Sequence, residues 1–547
     1  MGRAAAYGTT DVAASQAGVT AAGKRRAAEG DRPSGLGRST AIFAGWTGLS
    51  RVAGLAREIL AAAMFGTRGE INAFVIAFNV PNIIRSLVAD SALSAALIPL
   101  YTELVEKGRK RDAQRLIGAM VGLITMALGA VTLLAIVLAP VFMPFFAMGL
   151  SPELQDETVR LSQLMFPIVL LLALTGVVAA VLQADGEFGA TGFVPVLWNA
   201  VIILALVVAA VALPEDQQVT AYAVGIVLGT LAQLLFLLPY LRGKGPFPLS
   251  LGRGMPEIRR VLVLMLPVTL GLGLINVNAA VDNIFAGLVS EQAVSAIDKA
   301  FRLYILPQGV FSVAISTVLF PSIARMVARD DMRGVRDMVV AGLRQIFFML
   351  LPASVFMMVL AEPVTRLVYQ RGEFDAESTS LTSQALFAFT LGLVFNGASL
   401  LVIRAFFSLQ EPWVATKVAA LGLVLNLAGN AILYQPLGVP GIPLATSITS
   451  FVTFLVLLRL LGRQVGGLRT DLLLDGFGRC LAASAVLGVM SWATFTVLDG
   501  ALGRSLPAQL VCVGGAMAAG TLAYLAAAQA FEVPELRRLA RLARPLR

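Results

Sequence analysis

The chain has 547 residues; 57% are apolar, only 14% are charged, and the net charge is +9. Soluble domains carry about 25% charged residues, so a large soluble core with a lone anchor is excluded. In a chain this apolar the positive charge reads as loops facing anionic lipid, not as a nucleic-acid surface. Residues 1–38 are rich in Ala, Gly and Arg and hold no apolar run, so they read as a disordered cytoplasmic tail. They lack the h-region of a secretory signal, and Lys24, Arg25 and Arg26 read as an orientation signal.

Beyond the tail, apolar stretches recur with short breaks. The first two, near 39–66 and 70–102, contain Arg51, Arg57, Glu58, Arg85 and Asp90. At a rise of about 1.5 Å per residue, Arg51 lies about 15 Å in from Ala41 and Arg85 about 22 Å in from Glu70. Both are near mid-bilayer, where an arginine costs at least about 2.5–3.5 kcal/mol unless it faces a wet cavity or a partner. Three arginines against two carboxylates leave positive charge for an anion to neutralise. Pro81, four residues before Arg85, is expected to kink the second helix.

Further helices are expected near 112–146, 154–184, 190–213, 219–241, 257–289, 293–327, 335–370, 378–409, 412–434, 440–462, 475–498 and 507–530. The fold class is therefore all-α membrane protein with fourteen transmembrane helices. Basic residues crowd the breaks after the second, sixth, eighth and twelfth helices and the C-terminal tail, 531–547. The intervening breaks are acidic or mixed, so the positive-inside rule puts both termini in the cytoplasm. The break after the fourth helix, with Asp185 and Glu187 and no basic residue, is the weak point.

The chain also repeats itself. SAALIPLYTELVEKGRKRD at 94–112 matches STVLFPSIARMVARDDMRG at 316–334, which aligns Pro99 with Pro321. Ala190-Thr191 before Asn199 matches Ala415-Thr416 before Asn426. Both copies enter from the same side, so two parallel six-helix lobes, 39–242 and 243–463, are expected to flank a cavity. Two extra C-terminal helices, within 464–530, fall outside the repeat.

Chemistry is narrowed by what is missing. Histidine is absent, and the two cysteines, Cys480 and Cys512, have no metal or redox spacing. No nucleophile constellation and no GxxxxGK[ST] motif occurs, so neither an enzyme nor an ATP-driven pump is indicated. Arginines grip diphosphate oxygens bidentately and stay charged, which suits an anionic ligand. Trp46, Trp198, Trp413 and Trp492 read as interface anchors.

Four segments together carry a family resemblance: SRVAGLARE at 50–58, PNIIRSLVADSALSAALIP at 81–99, FRLYILPQGVFSVAISTVLFPS at 301–322 and RAFFSLQEPWVATK at 404–417. The chain resembles, over about residues 39–530, the MurJ (MviN) family of lipid II flippases in the multidrug/oligosaccharidyl-lipid/polysaccharide exporter superfamily. The resemblance implies transport of undecaprenyl-pyrophosphate-linked disaccharide-pentapeptide to the outer leaflet of the bacterial cytoplasmic membrane, with proteins of cell-wall synthesis as partners and no nucleic acid. It implies Arg51, Arg57, Arg85 and Arg302 as substrate-binding arginines, and Glu58 and Asp90 as gate acids. Two positions depart from many relatives, Asn72 and Phe301 standing where Asp is common; Asp298, one turn before Arg302, is the candidate substitute.

Two further expectations concern the C-terminal half. Asp282, Asn426, Asn430 and Thr446 fall at matched depth, within about 6–12 Å of the outer surface. Their oxygens suit a monovalent cation better than calcium. The resemblance implies sodium there, with a backbone carbonyl near Ile442 contributing; no other cofactor is expected. The small residues Ala482, Ala483, Ser484 and Ala485, with Gly514, Gly515, Ala516, Ala518, Ala519 and Gly520, suggest a groove for the polyprenyl tail, although they equally serve close helix packing. The alternatives are a flippase for another polyprenyl-linked glycan and a cation-coupled drug exporter; the latter calls for an acidic or aromatic cavity, not a basic one.

Overall fold

A computed structural model describes the backbone of residues 33–536 except 89, 90 and 253, and the side chains of those residues outside 33–44, 85–96, 99 and 264–275. Arg85 and Asp90 as side chains, and residues 1–32 and 537–547 of the two expected tails, lie outside this description.

The described residues form seventeen α-helices. In the first half these are α1 (Pro33–Phe65), α2 (Glu70–Val88), α3 (Ser91–Glu106), α4 (Lys110–Phe146), α5 (Pro152–Met165), α6 (Pro167–Ala184), α7 (Phe188–Ala212) and α8 (Glu215–Leu237). In the second half they are α9 (Pro256–Val289), α10 (Glu291–Ala328), α11 (Met332–Val359), α12 (Ala361–Tyr369), α13 (Ala376–Ser408), α14 (Pro412–Leu437), α15 (Gly441–Gln464), α16 (Thr470–Leu502) and α17 (Leu506–Ala530). Eleven segments of the described residues are long and apolar enough to cross a membrane.

Seventeen helices cover the fourteen expected stretches because three stretches are interrupted. Pro167 has no N–H for the Gln163 carbonyl, and the segment divides there into α5 and α6. Pro363 likewise withholds a bond from the Val359 carbonyl, and α11 gives way to α12 at Leu360. The third division falls after Val88, beyond Pro81, which stays inside α2.

The helices pack as two lobes. In the first, α1 lies on α7, α7 on α8, and α2 on α5 and α6. In the second, α10 lies on α13, α13 on α15, and α14 on both α9 and α15. α9 bridges them: Ile258 and Val261 at its start join the core of Leu116, Val177 and Val181 in the first lobe, while its far half packs on α14.

α16 and α17 pack on each other and on α11. Two buried arginines of the interrupted α11–α12 stretch fasten this pair at opposite ends. Arg344 Nε lies 2.8 Å from Glu535 Oε1, and its Nη2 donates to Glu535 Oε2 at 3.4 Å. Arg366 donates to Asp499 at 2.9 Å, with its guanidinium 5.8 Å from the Phe495 ring centroid. Some of the small residues serve packing: Ala483, Ser484, Ala516 and Gly520 are buried, whereas Ala482, Ala485, Gly514 and Ala518 face outward.

Removing one partner of a buried ion pair strands the other and costs about 3–5 kcal/mol. Glu535→Ala is therefore expected to lower the melting temperature of the purified protein sharply. The double change Arg344→Met with Glu535→Leu is expected to recover most of the loss.

Candidate functional site

The two lobes interlock on the face that carries the turn between α1 and α2. Gly66 in that turn has φ +57°, and a Cβ there would collide with the Glu373 carbonyl. Gly372 in the loop before α13 also has φ +57° and would collide with the Ala63 carbonyl. With both side chains absent, the Glu373 N–H reaches the Ala63 carbonyl at 2.9 Å. Thr67 and Ser378 share a hydroxyl hydrogen bond of 2.8 Å, and Arg68 pairs with Asp375 at 3.1 Å and with Glu377. The Ser378 N–H holds the Asp375 carboxyl below the usual carboxylate range. Asn72 completes the joint: its amide donates to the carbonyls of Thr67 and Gly69, and its Oδ1 accepts the Ser295 N–H of α10 at 3.0 Å.

Below this joint lies a buried cluster of charge. Glu58 on α1 is 5% exposed, Arg57 7% and Lys299 3%. One oxygen of Glu58 accepts from Arg57 Nη2 at 2.6 Å. The other accepts from Lys299 Nζ at 2.9 Å and faces Arg302 Nε at 3.1 Å. Arg302 also donates to Asp298 Oδ2, one turn before it, at 2.9 Å. Three cations thus share two carboxylates, and two of the cations reach Glu58 from the opposite lobe.

Arg57 adds an orphaned donor. Its guanidinium carbon lies 4.7 Å from the centroid of Trp198, a ring held by its own N–H to Thr230 Oγ1 at 3.3 Å. Arg57 Nε is buried without a hydrogen-bond partner. A buried donor in that state calls for an acceptor. Arg51 stands apart from the cluster: a Cβ added at Gly309 of α10 would lie 3.2 Å from Arg51 Nη1. Among the described residues no carboxylate pairs with it.

Of the residues singled out in the sequence, Arg57, Glu58 and Arg302 come together, Arg51 lies against the same helix α10, and the side chains of Arg85 and Asp90 are outside the described residues. Asp298 bonds Arg302 directly, while Phe301 is exposed and packs against Tyr304 and Phe389. Two residues were missed. Lys299 sits eight residues into an apolar helix, a position that signals a buried charge as strongly as any arginine here. Trp198, expected to be an interface anchor, instead forms the platform under Arg57.

The second set of residues also converges. Asn430 on α14 donates to Asp282 Oδ1 and to Asn426 Oδ1, each at 2.7 Å. Asn426 donates to Thr446 Oγ1 at 3.0 Å. The Thr446 hydroxyl lies 3.2 Å from Asp282 Oδ2 and 3.4 Å from the Ile442 carbonyl. Asn430 Oδ1 is buried with no partner. One carboxylate, neutral oxygens and an orphaned amide oxygen form a donor set that fits a small monovalent cation.

A membrane protein of two helical lobes, with buried cations shared between them, has the fold of multidrug/oligosaccharidyl-lipid/polysaccharide transporters. A multidrug resistance MATE transporter of that superfamily in an inward-facing conformation superposes with a TM-score of 0.64 at 16% identity, over 76% of this chain and 94% of that one. A structure described as lipid II flippase MurJ, inward closed conformation, gives a TM-score of 0.75 at 22% identity, over 90% of this chain and 98% of that one. The family model for lipid II flippase MurJ matches residues 61–510. The lipid II flippase MurJ of Burkholderia cenocepacia is 30% identical over 473 residues, 84% of this chain and 90% of that protein. A probable lipid II flippase MurJ of Vibrio cholerae is 27% identical over 500 residues, 89% of this chain and 95% of that protein. The chain belongs to the lipid II flippase MurJ family.

Glu58→Gln leaves Lys299 and Arg302 short of a buried partner and is expected to destabilise the protein by about 3–5 kcal/mol. Lys299→Met in the same background is expected to restore part of that stability. A thermal-melt double-mutant cycle measures this, and additive losses would remove the direct pairing.

Proposed function

We propose that the chain is a lipid II flippase, a transporter and not an enzyme, that carries the undecaprenyl-pyrophosphate-linked peptidoglycan precursor from the inner to the outer leaflet for cell-wall synthesis. The observation that carries this reading is Glu58 gripped across the lobe interface by Lys299 and Arg302, with Arg57 Nε beside it unpartnered. A diphosphate brings several anionic oxygens to such a cluster. It can take the place of the carboxylate on Lys299 and Arg302 and satisfy the orphaned Arg57 donor.

Arg51, Arg57, Arg85 and Arg302 are assigned to the substrate, and Glu58 and Asp90 to gating. The interlocked face is assigned to the outside, as the positive-inside pattern places it, with both termini in the cytoplasm. Access then alternates when 39–242 and 243–463 separate at this face. Residues 464–530 are assigned to the polyprenyl tail through the outward-facing small residues of α16 and α17. Sodium, where bound, supplies a fixed positive charge to Asp282, Asn426, Asn430, Thr446 and the Ile442 carbonyl. Those residues hold α9, α14 and α15 together within the second lobe.

In a conditional-lethal bacterium depleted of its own flippase, the parent chain is expected to restore growth. Arg57→Ala and Arg302→Ala are expected to abolish rescue while the proteins are still made, and Arg→Lys at either is expected to rescue only in part. Full rescue by both alanine variants would sink the assignment.

For the ion cluster, sodium is expected to raise the melting temperature of the parent over potassium. Asp282→Ala is expected to lose that rise. A parent insensitive to sodium across a wide concentration range rules out the ion.

A further inference from the structure

Buried and half-buried polar side chains of the second lobe form a path. It starts at Asp282, to which the Thr446 hydroxyl donates at 3.2 Å. One turn along α15, Ser450 donates to the Thr446 carbonyl at 2.8 Å. Asn396 on α13 donates to Ser450 Oγ at 3.4 Å. Gln308 on α10 donates to Asn396 Oδ1 at 2.7 Å. The next residue is Gly309, against which the Arg51 guanidinium lies. The path therefore runs from the carboxylate of the ion cluster, through α15 and α13, to the helix that bears Lys299 and Arg302.

Three features set this path apart from ordinary packing. From Gln308 through Asn396 and Ser450 to the Thr446 carbonyl the donors run one way, and such aligned bonds polarise one another; at Thr446 the path passes through the residue itself to its hydroxyl, which faces Asp282. The helices are pressed close where it crosses: a Cβ at Gly392 would be 2.6 Å from Ser447 Cα, and one at Gly397 would collide with Ser312 Oγ. Small movements of α15 are therefore passed to α13 and α10 by contact. Stability alone does not call for these groups either, since a hydrogen bond between transmembrane helices averages about 0.6 kcal/mol.

The Thr446 end is also responsive. Its hydroxyl proton points at Asp282, with the Ile442 carbonyl at 3.4 Å as the other acceptor within reach. A cation that takes Thr446 Oγ1 as a ligand repels that proton from the shared space beside Asp282. The first bond of the path thus changes with occupancy.

We propose that Gln308, Asn396 and Ser450 are positioning residues that transmit the state of the Asp282 cluster to α10, and so set the seat of Arg51 between the lobes. This role rests on the sodium reading of the cluster, and the experiment separates the two.

The full chain carries Val313→Cys, one turn beyond Gly309 on the same side of α10, while Cys480 and Cys512 are buried. Sodium binding is read as the rise in melting temperature over potassium. Transmission is read as the ratio of maleimide labelling rates at position 313 in the two salts. A ratio of at least about five-fold is expected, the lower end of ordinary coupling between sites. In Gln308→Met and in Asn396→Leu, each close in shape to what it replaces, the ratio is expected to fall to about one while sodium still raises the melting temperature. Ser450→Ala supplies the same comparison should either variant fail to fold.

A ratio that persists in the variants overturns the relay and leaves the sodium site standing. So does a parent that is stabilised by sodium without any change in labelling. Loss of sodium stabilisation in the variants would place these residues in the binding site itself and overturn the positioning role. No sodium stabilisation in the parent removes the sodium reading, and the relay falls with it.

Discussion

The structure depends on one buried carboxylate. Glu58 leaves the first lobe and is held by Lys299 and Arg302 of the second. Separating the lobes here means parting charges in a low-dielectric site, and an uncompensated buried charge is far more costly than a lost surface bridge. The other ties on this face are weaker. Arg68 and its two acids are largely exposed, so their pairing contributes about 0–1 kcal/mol. Under the proposed function the joint opens when something else satisfies Lys299 and Arg302, a condition that an anion with more oxygens than a carboxylate meets. Closure and ligand charge are linked through the same two side chains.

Much of this was legible in the sequence, for a specific reason. Charge inside an apolar helix is expensive, so Arg57 and Glu58 stood out by position alone, whereas Arg302 entered through the family resemblance. The convergence of Asp282, Asn426, Asn430 and Thr446 was legible through helical rise, which put them at one depth. The pairing was not legible. Seven-residue spacing puts Arg51 in register with Glu58 on one helix, yet Glu58 bonds Lys299, 241 positions away. Spacing along one helix says nothing about which neighbouring helix faces it. Lys299 escaped notice because Asp298 and Arg302 already made a plausible local pair. Trp198 was misjudged because an aromatic residue in an apolar helix looks the same in sequence whether it anchors in lipid or supports a guanidinium.

Asn72 shows how a lost charge is absorbed. Read alone, Asn where Asp is common in the family suggests a rewired network. In the fold its amide does two things that a carboxylate cannot do at once. It donates to the carbonyls of the turn at Thr67 and Gly69, and it accepts the Ser295 N–H from the other lobe. The turn is thereby shaped by the same side chain that joins the lobes. With Asp298 and Lys299 both on α10, the charged part of the joint sits one to two turns deeper, where Glu58, Arg57 and Lys299 are buried.

The two polar clusters differ in kind. Between the lobes the groups are fully charged, so their strength depends on being shut away from water and collapses when the lobes part. Within the second lobe the groups are mostly amides and hydroxyls, which keep helices together whether or not a cation is present. A neutral cluster with one carboxylate can gain or lose a small ion without dismantling the lobe. α10 touches both: its first turns carry Lys299 and Arg302, and Gln308 lies two turns further on, bonded toward the neutral cluster. A single rigid helix with one end in a charge lock and its middle in a hydrogen-bonded path is placed to let a modest change in the second lobe bias a costly change between lobes. The size of that bias is limited by the differential affinity of the ion for the two arrangements, as for any ligand-driven shift.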